Sequence, residues 1–173
     1  MGIKFGLWFE PEMTNKDSDL YRAHPDWILH TPGRNASHGR YQYVLDFSRK
    51  EVVEYIYEMM AKILSEAKVS YIKWDMNRSI TECYSVALPA DRQGEVFHRY
   101  ILGVYDLYER LTSEFPEVLF ESCSSGGGRF DPGMLYYAPQ GWTSDDSDAI
   151  ERLKIQYGTS LCYPISSMGR SEE

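Results

Sequence analysis

Apolar and polar positions along the chain switch repeatedly between a period near two and a period near four. Ile3-Lys4-Phe5-Gly6-Leu7-Trp8-Phe9 predicts a strand that ends in Glu10-Pro11-Glu12. An irregular stretch follows, punctuated by Asn15, Pro25, Pro32, Gly33, Asn35 and Gly39. Tyr43–Phe47 reads as extended, and Ser48 begins a helix to about Ala67, with Ser48 and Glu51 as a capping box. Val52, Ile56, Met59 and Ile63 form the apolar stripe expected to face the core. Val69, Tyr71 and Ile72 then open a buried strand ending at Asp75. Phe97, Ile101, Val104, Tyr108 and Leu111 mark a second long helix, closed by Pro116. Strands are expected at Val118–Glu121 and Gln140–Ser144, a helix from about Ala149 to Tyr157, and one further strand at Ile165–Met168.

Strands alternating with helices imply an α/β fold with parallel pairing. Each strand runs into polar, ionisable or glycine-rich sequence, which points to a (β/α)8 TIM barrel more than to an open sheet, where ligand groups gather at one switch point. Five or six strands are too few to close such a barrel. Residues 1–173 therefore read as a fragment of a barrel domain, its middle and later part.

The formal charge of −8 argues against nucleic acid or a membrane surface as partner. There is no apolar run of spanning length and no leader-like N-terminus. Cys83, Cys123 and Cys162 make neither a disulfide framework nor a zinc motif, so a reducing cytoplasm is the expected location. The aromatic content, 14%, suits a sugar cleft and an ordinary core equally.

Candidate chemistry sits at the strand ends. Alternation puts Lys73, Asp75 and Asn77 on one side of the extended chain and Trp74 and Met76 on the other. A carboxylate between a cation and an amide is held ionised and oriented, which suits a nucleophile, although a salt-bridged structural Asp is the plainer alternative. Asp145, Asp146 and Asp148 form a second acidic cluster. Glycosidases use two carboxylates, about 5–5.5 Å apart when the configuration is retained. Asp75 would then attack the anomeric carbon, and one Asp of the second cluster would protonate the leaving oxygen. The same cluster could instead hold Mg²⁺ or Ca²⁺, though it lacks the glycine and downstream Glu of an EF-hand. Asp146 or Asp148 is also expected to cap the helix near Ala149. Cys123–Arg129 is glycine-rich without a phosphate-binding signature, and Cys123 has no His partner nearby in sequence. His24, His30, His38 and His98 read as loop and surface residues.

Lys73-Trp74-Asp75-Met76-Asn77-Arg78, with Trp8–Glu12, Cys123–Asp131 and Trp142–Ala149, resembles the family 36 glycoside hydrolases, the large microbial α-galactosidases, over nearly the whole chain. The resemblance implies roughly the third to seventh barrel strands and a retaining double displacement on terminal α-galactosides such as melibiose and raffinose. It assigns the nucleophile to Asp75 and the general acid/base to Asp145. Lys73 and Asn77 would hold sugar hydroxyls, Trp8 would wall the galactose pocket, and Arg40 would bind substrate. Cys123 and Gly126 would shape the pocket near the 2-position. It implies no cofactor and no metal, an oligosaccharide partner, and a homo-oligomer for the full-length protein. The sequence departs from the family pattern at Arg170–Glu173 and lacks the family's flanking domains and first barrel strands. Transglycosylase, α-N-acetylgalactosaminidase and an inactive, truncated sugar-binding remnant are the alternatives.

Overall fold

The structure is a computed structural model, and it describes residues 2–169. The fold is α/β with a parallel sheet. Its strands are β1 (Phe5–Phe9), β4 (Val69–Asp75), β5 (Leu119–Cys123) and β6 (Gln140–Gly141), in the order β1-β4-β5-β6. Between β1 and β4 the chain makes a two-stranded antiparallel excursion, β2 (Met13–Thr14) with β3 (Tyr43–Val44), and a short helix α1 (Asp19–Ala23). The connecting helices of the sheet are α2 (Lys50–Glu66), α3 (Val96–Glu114) and α4 (Pro132–Tyr137), and α5 (Ala149–Ser160) follows β6. Register sets Trp8 beside Lys73 and Asp75 beside Cys123, so three strand ends finish at one level.

One face of the sheet carries the core. Leu7, Phe9, Ile72, Trp74 and Phe120 point there, against α2, α3 and α4. Trp74 is fully buried and stacks on Tyr108, with ring centroids 4.0 Å apart. Gly103 lets α3 approach the Phe47 backbone; a Cβ there would lie 1.9 Å from the Phe47 carbonyl oxygen. At its upper end this core is polar. Glu12 is wholly buried and takes a bidentate pair from Arg129 at 2.8 and 3.0 Å, with the Trp74 indole and Tyr100 hydroxyl also donating to it. Burial disfavours the Glu12 carboxylate, but the Arg129 charge and these donors outweigh it and lower its pKa.

Several local expectations shift. Ser48 does not cap α2: the N-cap is Arg49, with no side-chain cap bond, and Glu51 pairs with Arg49 instead. Asp46, fully buried, takes the Ser48 and Ser85 hydroxyls, and this buried carboxylate outcompetes a helix terminus for them. The α2 stripe is offset: Val53, Ile56, Met60 and Leu64 are buried beside Val52, whereas Met59 and Ile63 are exposed. In α3 the inward face runs through Val96, Tyr100, Val104 and Leu111, leaving Phe97 outside, because Tyr100 is drawn to Glu12. Tyr43–Phe47 is not a strand of the parallel sheet; Tyr43–Val44 pairs antiparallel with Met13–Thr14, and Leu45 bridges Ile28, also antiparallel. Gln140–Ser144 shortens to β6, and Ile165–Ser167 is a 3₁₀ turn after which Met168 bridges Gly141 in parallel. Arg170–Glu173 lies outside the described residues.

Candidate active site

The C-terminal ends of β1, β4, β5 and β6 gather the charged groups. Asp75 closes β4 and is 6% exposed. Its Oδ2 accepts from the Trp8 indole at 3.2 Å and the Asn77 amide at 2.6 Å. Its Oδ1 is buried and has no hydrogen-bond partner among the described residues. Burial raises the pKa of Asp75, but the Cys123 thiol, the Asn77 amide, the Trp8 indole and the Ser125 N–H outweigh it, so the carboxyl lies below its ordinary range. The indole and the amide thus hold Oδ2, and the carboxylate is ionised and largely desolvated.

Alternation puts Lys73 on the Asp75 side of β4, but Lys73 does not supply the cation expected for Asp75. Its Nζ lies 3.4 Å from Glu121 Oε1 and 4.4 Å from the centroid of the Trp142 ring. Glu121, two residues before Cys123 on the next strand, is the nearer buried anion. Amide and indole donors take the place of the cation at Asp75.

Asp145 stands differently. It is exposed, and its Oδ1 accepts from the Trp142 indole at 2.9 Å. The Trp142 ring is approached by Lys73 and also by Arg152, whose guanidinium is 4.9 Å from the ring centroid and bonds Ser144 and Thr143 at 3.0 Å. The rest of the acidic cluster serves the backbone: Asp148 caps α5 through the N–H groups of Ile150 and Glu151, and Asp146 accepts from the Asp148 N–H. Among the described residues, no three His, Cys, Asp or Glu side chains converge as a metal-ion site requires.

The Cys123–Gly128 loop joins the two acids. Ser125 and Gly126 have positive φ, +46° and +83°, and a Cβ on Gly126 would meet the Asp145 nitrogen at 2.9 Å. The loop therefore lies edge-on against the segment that carries Asp145 while its Ser125 N–H favours the Asp75 anion. Cys123 is buried, and burial pushes its thiol up to about 12, so it stays protonated.

Arg40 reaches the site from the β2–β3 excursion. Gly39 and Gln42 exchange both backbone hydrogen bonds, and Arg40 and Tyr41 between them have φ of +53° and +60°. That is a type I′ turn, which favours Asn-Gly; two larger side chains there cost on the order of 1–3 kcal/mol each. Glu10 holds the turn, accepting from Arg40 at 3.1 Å and Gln42 at 2.7 Å, and it also accepts from Asn77 at 2.7 Å. A cavity of about 600 Å³ is bordered by Asn15, His38, Tyr41 and Tyr43 and by neither carboxylate.

Trp8, Asn77 and Cys123 thus surround Asp75, Gly126 ties it to Asp145, Lys73 reaches Asp145 through Trp142, and Arg40 joins through Glu10. Sequence reasoning missed Glu10, Glu121, Trp142 and Arg152. Glu10 stood in view as an acid at a strand end, but nothing local separates it from Glu12, which turns into the core.

Comparison with known proteins places this geometry. The family model described as Melibiase matches residues 1–172. The chain is 62% identical over 169 residues to alpha-galactosidase AgaA of Geobacillus stearothermophilus, covering 98% of this chain and 23% of that protein. It is 60% identical to alpha-galactosidase Mel36A of Lactobacillus acidophilus, covering 96% and 23%. The crystal structure of the Geobacillus GH36 enzyme superposes with a TM-score of 0.95, over 97% of this chain and 23% of that one. The chain therefore spans about a quarter of the length of these relatives.

Proposed function

The chain belongs to the Melibiase family, and we propose that it forms the catalytic part of a retaining α-galactosidase, within a (β/α)8 barrel of which it supplies roughly the third to seventh strands. The observation that carries this reading is the pair of unlike carboxylates. Asp75 is buried and ionised with its Oδ2 held by Trp8 and Asn77, and Asp145 is exposed, one loop away.

In the first step Asp75 Oδ1 attacks the anomeric carbon of a terminal α-galactoside. The bond to the leaving oxygen breaks, and that oxygen takes the proton of Asp145. In the second, water attacks the same carbon, its proton passes to Asp145, and the galactosyl ester of Asp75 is cleaved. Trp8 walls the sugar, Arg40, Lys73 and Asn77 bind its hydroxyls, and Cys123 and Gly126 shape the pocket beside it. Two sugar complexes of the Geobacillus enzyme support the assignment. Variants of it were crystallised with raffinose and with stachyose, each with one aspartate replaced, and those aspartates are as far apart in its chain as Asp75 and Asp145 are here. Raffinose-type oligosaccharides are accordingly the proposed substrate class. Exposed Ile150, Leu153 and Tyr157 on α5 leave apolar area for the rest of a barrel, or for a second copy in a homo-oligomer. Three free cysteines fit a cytoplasmic location.

The test is hydrolysis of an aryl α-galactoside by the chain, and by a chimera in which it replaces the matching segment of the Geobacillus enzyme. The Asp75→Ala variant should lose turnover, and proton NMR should find the α-anomer of galactose formed first. Turnover independent of Asp75, or first release of the β-anomer, sinks the proposal.

A further inference from the structure

We infer that Glu10 is the positioning residue of the sugar-binding half of the site: it preorganises Arg40 and Asn77 without touching the sugar. The inference rests on the proposed function for those two residues. Three donors converge on one carboxylate. Glu10 Oε1 accepts from Arg40 Nη1 at 3.1 Å and Asn77 Nδ2 at 2.7 Å, and Oε2 accepts from Gln42 Nε2 at 2.7 Å. The side chain is only 10% exposed, so little water competes for these bonds.

Two consequences follow from the geometry. The first concerns the turn. Arg40 and Tyr41 occupy left-handed backbone that neither residue favours. Glu10 grips the side chain of Arg40, the first residue of that strained pair, and of Gln42, the residue just after it. Gly39 packs on the Arg78 side chain, and Arg78 Nε donates to the Gln42 carbonyl at 3.3 Å, anchoring the base of the turn. Without Glu10 the turn keeps its base and loses the clamp that aims Arg40.

The second concerns Asn77. Its Nδ2 carries two hydrogens; one goes to Glu10 Oε1 and the other to Asp75 Oδ2. Its Oδ1 meets the Ser125 hydroxyl at 3.2 Å. Glu10 therefore fixes the rotation of the amide plane, and with it the bond to Asp75. A carboxylate that accepts from all three donors suits this position. A glutamine would turn an N–H towards at least one of them.

The experiment is a double-mutant cycle in the Geobacillus chimera. Glu10→Gln should lower kcat/KM on an aryl α-galactoside by about 10- to 100-fold, the scale of a misplaced binding group. In an Asn77→Ala or an Arg40→Ala background the same change should cost clearly less, because its target is gone. A loss that stays undiminished in both backgrounds overturns the inference. Gln42→Met, which frees one side of the clamp and leaves Glu10 intact, should give a smaller loss with the same non-additivity. A readout free of activity is the NMR spectrum of the chain itself. Glu10→Gln should move the Asn77 side-chain amide resonances and speed amide exchange at Gly39 and Gln42. If both stay unchanged the inference fails, whatever the enzyme does. An inactive wild-type chimera sinks the functional proposal and leaves the NMR arm to decide this one.

Discussion

The ends of β4 and β6 carry the same side chain in opposite circumstances. β4 is seven residues long and delivers Asp75 into a buried setting with indole and amide donors on one oxygen. β6 is two residues long, and Asp145 follows it on an exposed segment where the Trp142 indole is its hydrogen-bonding partner. A nucleophile gains from desolvation and a fixed approach, since its charge must be ready before substrate arrives. An acid/base gives its proton to the leaving oxygen and regains one from the attacking water, so access to water serves it. On the proposed mechanism, the division of labour between the two aspartates follows from strand length and burial, with no difference in chemistry.

The largest effect tests that division directly. Asp75→Ala should cost kcat/KM on the order of 10⁴ or more, whatever the leaving group, since no intermediate can form. Asp145→Asn should cost about 10²–10⁴ on a poor leaving group and little on dinitrophenolate, which departs without a proton. Equal losses for both variants across a leaving-group series would erase the distinction.

A second contrast lies beneath the two ends. The loop that follows β5 sends Arg129 down to Glu12, an ion pair under the β4 side whose carboxylate is fully buried. Arg152, under the β6 side, bonds the Ser144 carbonyl and Thr143 hydroxyl, which are neutral. Arg129→Met strands a buried carboxylate and should destabilise the chain by about 3–5 kcal/mol in urea unfolding. Arg152→Met should cost about 1–2 kcal/mol. Similar values would mean that the β4 end is no more rigidly founded than its counterpart.

Gly126 couples the two regions, and its replacement should separate them. Alanine there takes the left-handed φ at about 1–2 kcal/mol and meets the Asp145 backbone at 2.9 Å. The expected result is a fall in kcat/KM of about 10- to 100-fold on poor leaving groups, with a smaller fall on activated ones. Uniform loss on both would place the damage at Asp75 instead.

The same asymmetry governs what could be read in advance. Long strands announce themselves: β1, β4 and β5 follow from alternation and β-formers, and side-chain alternation put Lys73, Asp75 and Asn77 on one side. A cap by Asp146 or Asp148 was legible because capping is local, and Asp148 is the one that serves. The Ser48 cap failed because a buried Asp46, placed by tertiary packing, claims its hydroxyl. The α2 and α3 stripes held at Val52, Ile56, Val104, Tyr108 and Leu111 and failed at Met59, Ile63 and Phe97, where what each helix packs against chooses between neighbouring apolar residues. Lys73 and Glu121 meet across strands, and Glu10 and Glu12 diverge only when the fold turns one to the site and one to the core. The arrangement around Asp75 follows from local alternation plus register, whereas the surroundings of Asp145 depend on Trp142 and Arg152, which only the assembled sheet and α5 bring together.

The smallest effect is a shift in pH dependence, and it separates the two indoles. Trp8 and Trp142 each donate one bond to one aspartate. Asp75 lies below its ordinary pKa despite burial because donors such as Trp8 favour the anion. Trp8→Phe keeps the apolar wall and removes that donor, so the Asp75 pKa rises and the acid limb of kcat/KM moves to higher pH. Stability follows the same sign. A depressed pKa stabilises the fold above the unfolded carboxylate value, and this contribution disappears as pH falls through the folded value. Acid unfolding of Trp8→Phe should accordingly begin at higher pH than in the wild type. Trp142→Phe leaves the Asp75 donors intact and should leave the acid limb where it is. If Trp142→Phe moves that limb as far as Trp8→Phe does, the two carboxylates titrate as one coupled pair, and the independence of the two strand ends is lost.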